Sequence, residues 1–227
     1  MKGRMNVAID GPAGAGKSTI AKEVARRLGI LYLDTGAMYR AAALKAIRCG
    51  VEPGDAQGVL PLLAHMVITV KNQNGVQRTY LDGEDVSSLI RTQEVSQGAS
   101  DIGVIPEVRR KLVETQRQIA KENDVVMEGL DMGSYVIPQT PYKFYVTASS
   151  LERARRRHRE LQQAGKDLEK TLEEIQREIE HRDQTDSTRA FAPLTRTPDA
   201  ILIDTTQMDI ETAVCAVLAG IAERERE

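Results

Sequence analysis

Apolar and polar positions fall along this chain in blocks whose period switches between strand and helix from the first residues onward. Val7-Ala8-Ile9 is a short apolar run that stops at Asp10-Gly11-Pro12, and it predicts a buried strand. From Lys17 to Leu28 the residues Ile20, Val24 and Leu28 recur at i, i+4 and i+8, the spacing of one helix face. Gly29 stands where a helix C′ residue belongs. Ile30-Leu31-Tyr32-Leu33 predicts a second strand, and a helix follows from about Ala37 to Cys49 with Gly50 behind it. Strands alternating with helices call for βαβ units and a parallel sheet.

The pattern then changes. Val67 to Val70 and Gln77 to Leu81 flank Asn74-Gly75, a dipeptide suited to the tight turn of an antiparallel hairpin. Asp82-Gly83-Glu84 predicts a second turn leading into Val86. Residues 65–105 are therefore expected to form a small antiparallel insertion. Pro106 fits the first turn of a helix reaching about Lys121. Val125-Val126-Met127, Phe144-Tyr145-Val146 and Ile201-Leu202-Ile203 predict three more buried strands. Residues 151–181 are highly charged and helical in character, with a break expected near Ala164-Gly165. A last helix runs from Asp209, its N-cap candidate, to about Glu223, with Glu211 in its first turn. The expected fold class is α/β, a parallel sheet of roughly five strands flanked by helices.

Composition narrows the picture without deciding it. With 227 residues, 41% of them hydrophobic, the chain can build one α/β domain over residues 1–227 with a small inserted subdomain. A formal net charge of −2 argues against a strongly basic nucleic-acid binder. Cys49 and Cys215 lie far apart without metal-ligand spacing, which argues against a disulfide framework or a zinc site. The apolar run after Asn6 already meets Asp10 and is shorter than a secretory h-region. The stretch from Ala213 to Ala222 falls short of the roughly 20 residues needed to cross a bilayer. A cytoplasmic chain without membrane partners is expected, and a monomer, since no exposed apolar stripe stands out.

Chemistry enters with Gly11-Pro12-Ala13-Gly14-Ala15-Gly16-Lys17-Ser18, which matches G-x-x-x-x-G-K-[ST] with a predicted strand before it and a helix after it. Glycines let backbone N–H groups converge on phosphates at the positive end of the following helix. Residues Gly11 to Thr19 are thus candidate ATP ligands: Lys17 reaches the β- and γ-phosphates, and the Ser18 hydroxyl ligates Mg²⁺. This motif alone does not separate kinases from GTPases or motor ATPases.

Arginines supply a candidate acceptor site. Asp34-Thr35-Gly36-Ala37-Met38-Tyr39-Arg40 follows the second strand and so belongs at the carboxyl edge of the sheet, where open α/β sheets bind ligands. Arg40 suits an acceptor phosphate or is a solvated helix arginine. Arg182, Asp186 and Arg189 share one face at i, i+4 and i+7 if that stretch is helical. Such a face holds a ribose hydroxyl and phosphates, or is an intrahelical salt bridge. Arg153, Arg155, Arg156, Arg157 and Arg159 form the densest basic run. In a phosphoryl transferase such a helix closes over the γ-phosphate; elsewhere it is a solvated face.

The segments DGPAGAGKST (10–19), LDTGAMYR (33–40), LDGEDVSSLIRTQEV (81–95), EGLDMGS (128–134), RDQTDSTR (182–189) and APL (192–194) resemble the bacterial cytidylate kinase family over nearly the whole chain. That resemblance implies an adenylate-kinase-like core, an acceptor-nucleotide-binding insertion at about 65–105 and an arginine-rich lid at about 151–181. It implies transfer from ATP, with Mg²⁺, to CMP and dCMP. By matching position, Arg40 and Arg189 would hold the acceptor phosphate and Arg182 and Asp186 the ribose, with Thr35 a further acceptor-binding residue. Ser100, Arg109 and Asp131 would read cytosine, whose N4 amino group suits a carboxylate or hydroxyl and whose O2 and N3 suit arginine. Lys17 with the lid arginines Arg153 and Arg157 would carry catalysis. One position departs: Leu130 stands where the family has arginine, which implies a weakened kinase. A kinase for UMP or AMP, and a nucleotide-binding regulator with little turnover, remain the alternatives.

Overall fold

The computed structural model of the chain describes residues 4–73, 76–163, 165 and 170–226. β1 (Asn6–Asp10) forms where the apolar run predicts it, and α1 (Lys17–Leu28) buries Ile20, Ala21, Val24 and Ala25. Then come β2 (Leu31–Asp34), α2 (Thr35–Arg48), α3 (Ala56–Leu63), β3 (Ile68–Gln73), β4 (Val76–Leu81) and β5 (Glu84–Asp85). A 3-10 turn at Leu89–Arg91 leads to α4 (Gln93–Ile102), α5 (Pro106–Glu122), β6 (Val125–Gly129) and a π-helical turn at Met132–Val136. β7 (Tyr142–Thr147), α6 (Ser150–Gln163), α7 (Leu172–Thr188), β8 (Ile201–Asp204) and α8 (Ile210–Arg224) complete the order. Among the described residues no helix is long and apolar enough to cross a membrane.

The expected sheet is present, with five strands in the order β2-β6-β1-β7-β8. β1 pairs in parallel with β7, Ile9 opposite Phe144, and β7 with β8, Phe144 opposite Ile201. Because β1 stands in the middle of that order, its carboxyl end delivers Asp10 and the glycine-rich loop to the ligand-binding edge of an open sheet.

The chain divides into two compact units, Met1–Asn6 with Gly29–Met127, and Val7–Leu28 with Glu128–Glu227. In the first, Met38, Ala41 and Ala42 of α2 join Ile90, Ile102 and Leu112 in the core, and β3-β4-β5 form a separate antiparallel sheet. In the second, Val7, Ile9, Ile20, Val24, Phe144, Val146, Val214 and Val217 are buried. A Cβ at Gly220 would lie 2.8 Å from both Ile201 and Phe144, so α8 packs on the sheet only with glycine there.

Several boundaries differ from the sequence pattern. The antiparallel part spans residues 68–85 rather than 65–105, because α4 takes over with Thr92 as its N-cap accepting from the Val95 N–H at 3.2 Å. Its Gly98 permits close approach to Ala43 and Pro53. α2 starts at Thr35, ahead of the expected Ala37, since the Asp34 carboxylate accepts from the Ala37 N–H at 2.9 Å. α3, capped by Asp55, and the π-helical turn have no counterpart in the sequence reading. The hairpin turn at Asn74-Gly75 and Ala164 of the expected break lie outside the described residues. α6 ends at Gln163, and Gly165 has φ +62°.

Candidate active site

In the second unit the glycine-rich loop is built on positions that exclude side chains. Gly11 has φ +145°, and a Cβ there would come within 1.8 Å of the Val146 carbonyl oxygen. Gly14 and Gly16 also have positive φ, +76° and +91°. α1 begins at Lys17, so its unpaired N–H groups and positive end face the loop. Lys17 Nζ donates to the Pro12 carbonyl at 2.8 Å, and Ser18 Oγ donates to Glu128 Oε2 at 2.8 Å. Glu128, on β6, is only 4% exposed. Burial lowers the pKa of the Lys17 ammonium, and the Glu128 carboxylate opposes that shift.

Asp10, at the end of β1, accepts from the Met132 and Gly133 N–H groups, each at 2.7 Å. Burial pushes its carboxyl up to about 7, against the pull of those two N–H groups and Lys17 and with help from Asp131. These bonds pin the turn that begins just after Asp131. Arg189 stands 3.8 Å from Asp131 and 3.9 Å from Asp186, and Arg182 stands 3.7 Å from Asp186. Arg189 Nε donates to the Ala192 carbonyl at 2.7 Å. Burial raises the Asp186 pKa while Arg182 and Arg189 lower it. The face expected from the spacing is thus assembled, with Arg182 and Asp186 inside α7 and Arg189 at its C-cap.

The arginines of α6, expected either to close over the γ-phosphate or to form a solvated face, are not placed alike. Arg153 is 5% exposed. It donates to the carbonyls of Ala148 (2.9 Å) and Ala13 (3.2 Å) and grips the Asp183 carboxylate with two nitrogens, at 3.0 and 2.6 Å. Arg157 is exposed and lies 3.3 Å from Glu160.

In the first unit Thr35 is buried at the start of α2. Arg40 donates to Asp34 Oδ2 at 2.8 Å, and Arg91 reaches the same oxygen at 3.5 Å. Gln77 of β4 brackets Asp34, accepting from its N–H at 2.7 Å and donating to its carbonyl at 3.2 Å. Arg109, 2% exposed, donates to the Gly103 carbonyl at 3.2 Å and lies 5.3 Å from the Tyr39 ring centroid. Ser100 is half-buried on α4.

Comparison with protein families matches residues 7–223 to cytidylate kinase. The chain belongs to the cytidylate kinase family. Among its relatives, the cytidylate kinase of Desulfitobacterium hafniense is 49% identical over 219 residues, covering 96% of this chain and 93% of the relative. That of Solibacter usitatus is 47% identical over 221 residues, with 97% and 94% covered. A solved structure of an uncharacterized protein from Eubacterium ventriosum aligns over 97% of this chain and 99% of its own. Its TM-score of 0.50 at 12% identity marks a likeness of fold alone.

The residues of this cytidylate kinase family member fit a magnesium ion of the kind that travels with a nucleoside triphosphate. Among the described residues no three His, Cys, Asp or Glu side chains gather as a metal cage. Mg²⁺ needs no such cage, since it keeps waters and takes phosphate oxygens beside one or two protein ligands. The Ser18 hydroxyl and buried Glu128 carboxylate supply a donor pair of that kind. Sequence reasoning left Glu128, Asp10, Asp34, Arg91 and Asp183 out of the candidate site. Asp34 carried a readable signal, a capping side chain before a helical run. Asp183 carried none, because its partner Arg153 is remote in sequence.

Proposed function

We propose that this chain transfers the γ-phosphoryl group of ATP to CMP and to dCMP, giving ADP with CDP or dCDP. The observation that carries the reading is one unit holding both a phosphate loop with Lys17, Ser18 and Glu128 and a cluster of Asp131, Arg182, Asp186 and Arg189. Amides and a lysine suit a triphosphate; guanidiniums beside carboxylates suit the phosphate and hydroxyls of a nucleotide.

The loop amides from Gly11 to Thr19 bind the phosphates of ATP, and Lys17 exchanges the Pro12 carbonyl for phosphate oxygens. Ser18 and Glu128 hold Mg²⁺, which when bound neutralises charge on the transferring group. Arg189 takes the acceptor phosphate, Arg182 and Asp186 the ribose, and Asp131 accepts from the cytosine amino group. For the first unit, matching motif positions assign Arg40 to the acceptor phosphate and Ser100 and Arg109 to the base, with Thr35 a further acceptor-binding residue. An acceptor phosphate oxygen bonds to the γ-phosphorus as the bond to the β,γ-bridging oxygen breaks. The attacking oxygen is already anionic, so positioning and charge neutralisation carry the rate, and no base is required. Arg157, exposed on α6, is assigned by family resemblance as the lid arginine for the equatorial oxygens. The reading extends to a cytoplasmic monomer acting on small molecules, with neither nucleic acid nor membrane as partner.

ADP formation from ATP and Mg²⁺ with CMP, dCMP, UMP and AMP in turn tests it. Turnover confined to CMP and dCMP is expected. Preference for UMP or AMP would move the acceptor assignment. ATP binding without turnover on any acceptor would replace the enzyme by a nucleotide-binding regulator.

A further inference from the structure

Three carbonyl groups of the phosphate loop are held by side chains. Lys17 takes that of Pro12 at 2.8 Å. Arg153 takes that of Ala13 at 3.2 Å, and Thr205 Oγ1 lies 3.0 Å from that of Ala15. Arg153 and Thr205 come from segments 140 and 190 residues away from the carbonyls they hold.

Both are fixed in turn by neighbours that leave them little freedom. The Arg153 guanidinium is clamped by the two oxygens of Asp183 on α7 and by the Ala148 carbonyl. Gly14 makes room for it, since a Cβ there would press on the Arg153 Cβ at 3.3 Å. Thr205 is 4% exposed. Its hydroxyl accepts from Arg156 Nη1 at 3.1 Å while Arg156 Nη2 holds its carbonyl at 2.6 Å. The Thr147 carbonyl also lies 3.0 Å from that hydroxyl, but it already accepts from the Thr205 N–H at 2.7 Å. The two carbonyls compete for the single hydroxyl proton, and that of Ala15 is the one the Thr205 N–H does not already serve.

A trans peptide sets each carbonyl opposite the N–H of the next residue. Holding the Ala13 and Ala15 carbonyls against the protein turns the Gly14 and Gly16 N–H groups the other way. We propose that Arg153 and Thr205 are positioning residues that aim the Gly14 and Gly16 amides into the phosphate cradle before ATP arrives. Glycine loops lose much conformational freedom on ordering, so a loop ordered in advance binds its ligand more tightly. On this account the first turns of α6 serve the loop from behind, and Arg153 acts through the Ala13 carbonyl rather than on the phosphates.

The inference rests on the loop being the ATP site, and its test does not involve the acceptor. Calorimetric Kd for ATP with Mg²⁺, without acceptor, is measured for the wild type, Thr205→Val, Thr205→Ser and Arg153→Lys, alongside KM for ATP and for CMP. Loss of one such hydrogen bond corresponds to about a fivefold to tenfold weaker Kd for Thr205→Val, with Thr205→Ser within about twofold of wild type. Arg153→Lys, which cannot hold Ala13 and both Asp183 oxygens together, is expected to weaken ATP by about tenfold or more. KM for CMP stays within about twofold in the two Thr205 variants. Thr205→Val with wild-type ATP affinity, whether or not its Tm falls, would overturn the proposal, as would equal weakening in Thr205→Ser. Wild-type protein that binds ATP but ignores CMP would sink the acceptor assignment and leave this inference standing.

Discussion

Replacing Asp10 by asparagine separates two things this carboxylate does: it ties the turn at Met132–Val136 to the end of β1, and it stores an ionisation cost. Its ordinary value of 3.8 rises to about 7 in the fold, chiefly through burial. Between those values the folded chain binds the proton and the unfolded chain does not. Stability from this group therefore falls as pH rises through the window, by about 4 kcal/mol in all, of which roughly 3 kcal/mol falls between pH 5 and 8. Asparagine removes the ionisation but presents one acceptor and an NH₂ where two N–H groups each require an acceptor at 2.7 Å. A buried donor left unmatched costs about 1–3 kcal/mol. At pH 5, Asp10→Asn is thus expected to be less stable than wild type by about that amount. By pH 8 the difference should close or reverse, because the wild type alone has lost stability. Urea unfolding at pH 5, 6, 7 and 8 on both proteins reads the difference directly. A gap that stays constant within about 0.5 kcal/mol across that range would refute the near-neutral titration of Asp10.

Three further outcomes are expected. Leu130→Arg restores the arginine implied by the family resemblance and should raise kcat/KM for CMP by about 10- to 150-fold, the range of one charge-assisted hydrogen bond; an unchanged or lower value removes Leu130 as a cause of weakened catalysis. Glu128→Gln keeps an acceptor for Ser18 but loses the charge, so half-maximal Mg²⁺ should rise by about 10- to 100-fold, and an unaltered Mg²⁺ titration would take Glu128 out of the metal site. Arg189→Ala should raise KM for CMP by about 10-fold or more while KM for ATP changes less than about threefold; equal effects on both substrates would show loss of fold rather than of a ligand.

What could be read along the chain was whatever depends on near neighbours. The phosphate loop is one such feature, since the spacing from Gly11 to Ser18 between an apolar run and a helical period dictates positive-φ turns and a helix start. β1, β2 and β6 were legible because buried strands read as continuous apolar runs, whereas β8 read as buried although it lies at the sheet edge with Leu202 46% exposed. Arg182 and Asp186 came together because i, i+4 spacing on a helix leaves little alternative. The roles of Ser100 and Arg109 came from resemblance to a family, not from their local pattern.

Tertiary structure decided the rest. A run of arginines from 153 to 159 looks alike at every position in sequence, yet Arg153 is buried against Asp183 and the loop while Arg157 faces solvent. α4 replaced the second half of the expected antiparallel insertion because Gly98 lets it pack closely on α2, a fit no period in the chain announces. Asp10 reaches backbone N–H groups more than a hundred residues away, and Thr205 reaches the Ala15 carbonyl across 190. Local sequence determines local dihedrals and the face a residue presents. Which remote polar groups must then satisfy one another is known only once packing has taken water away from them.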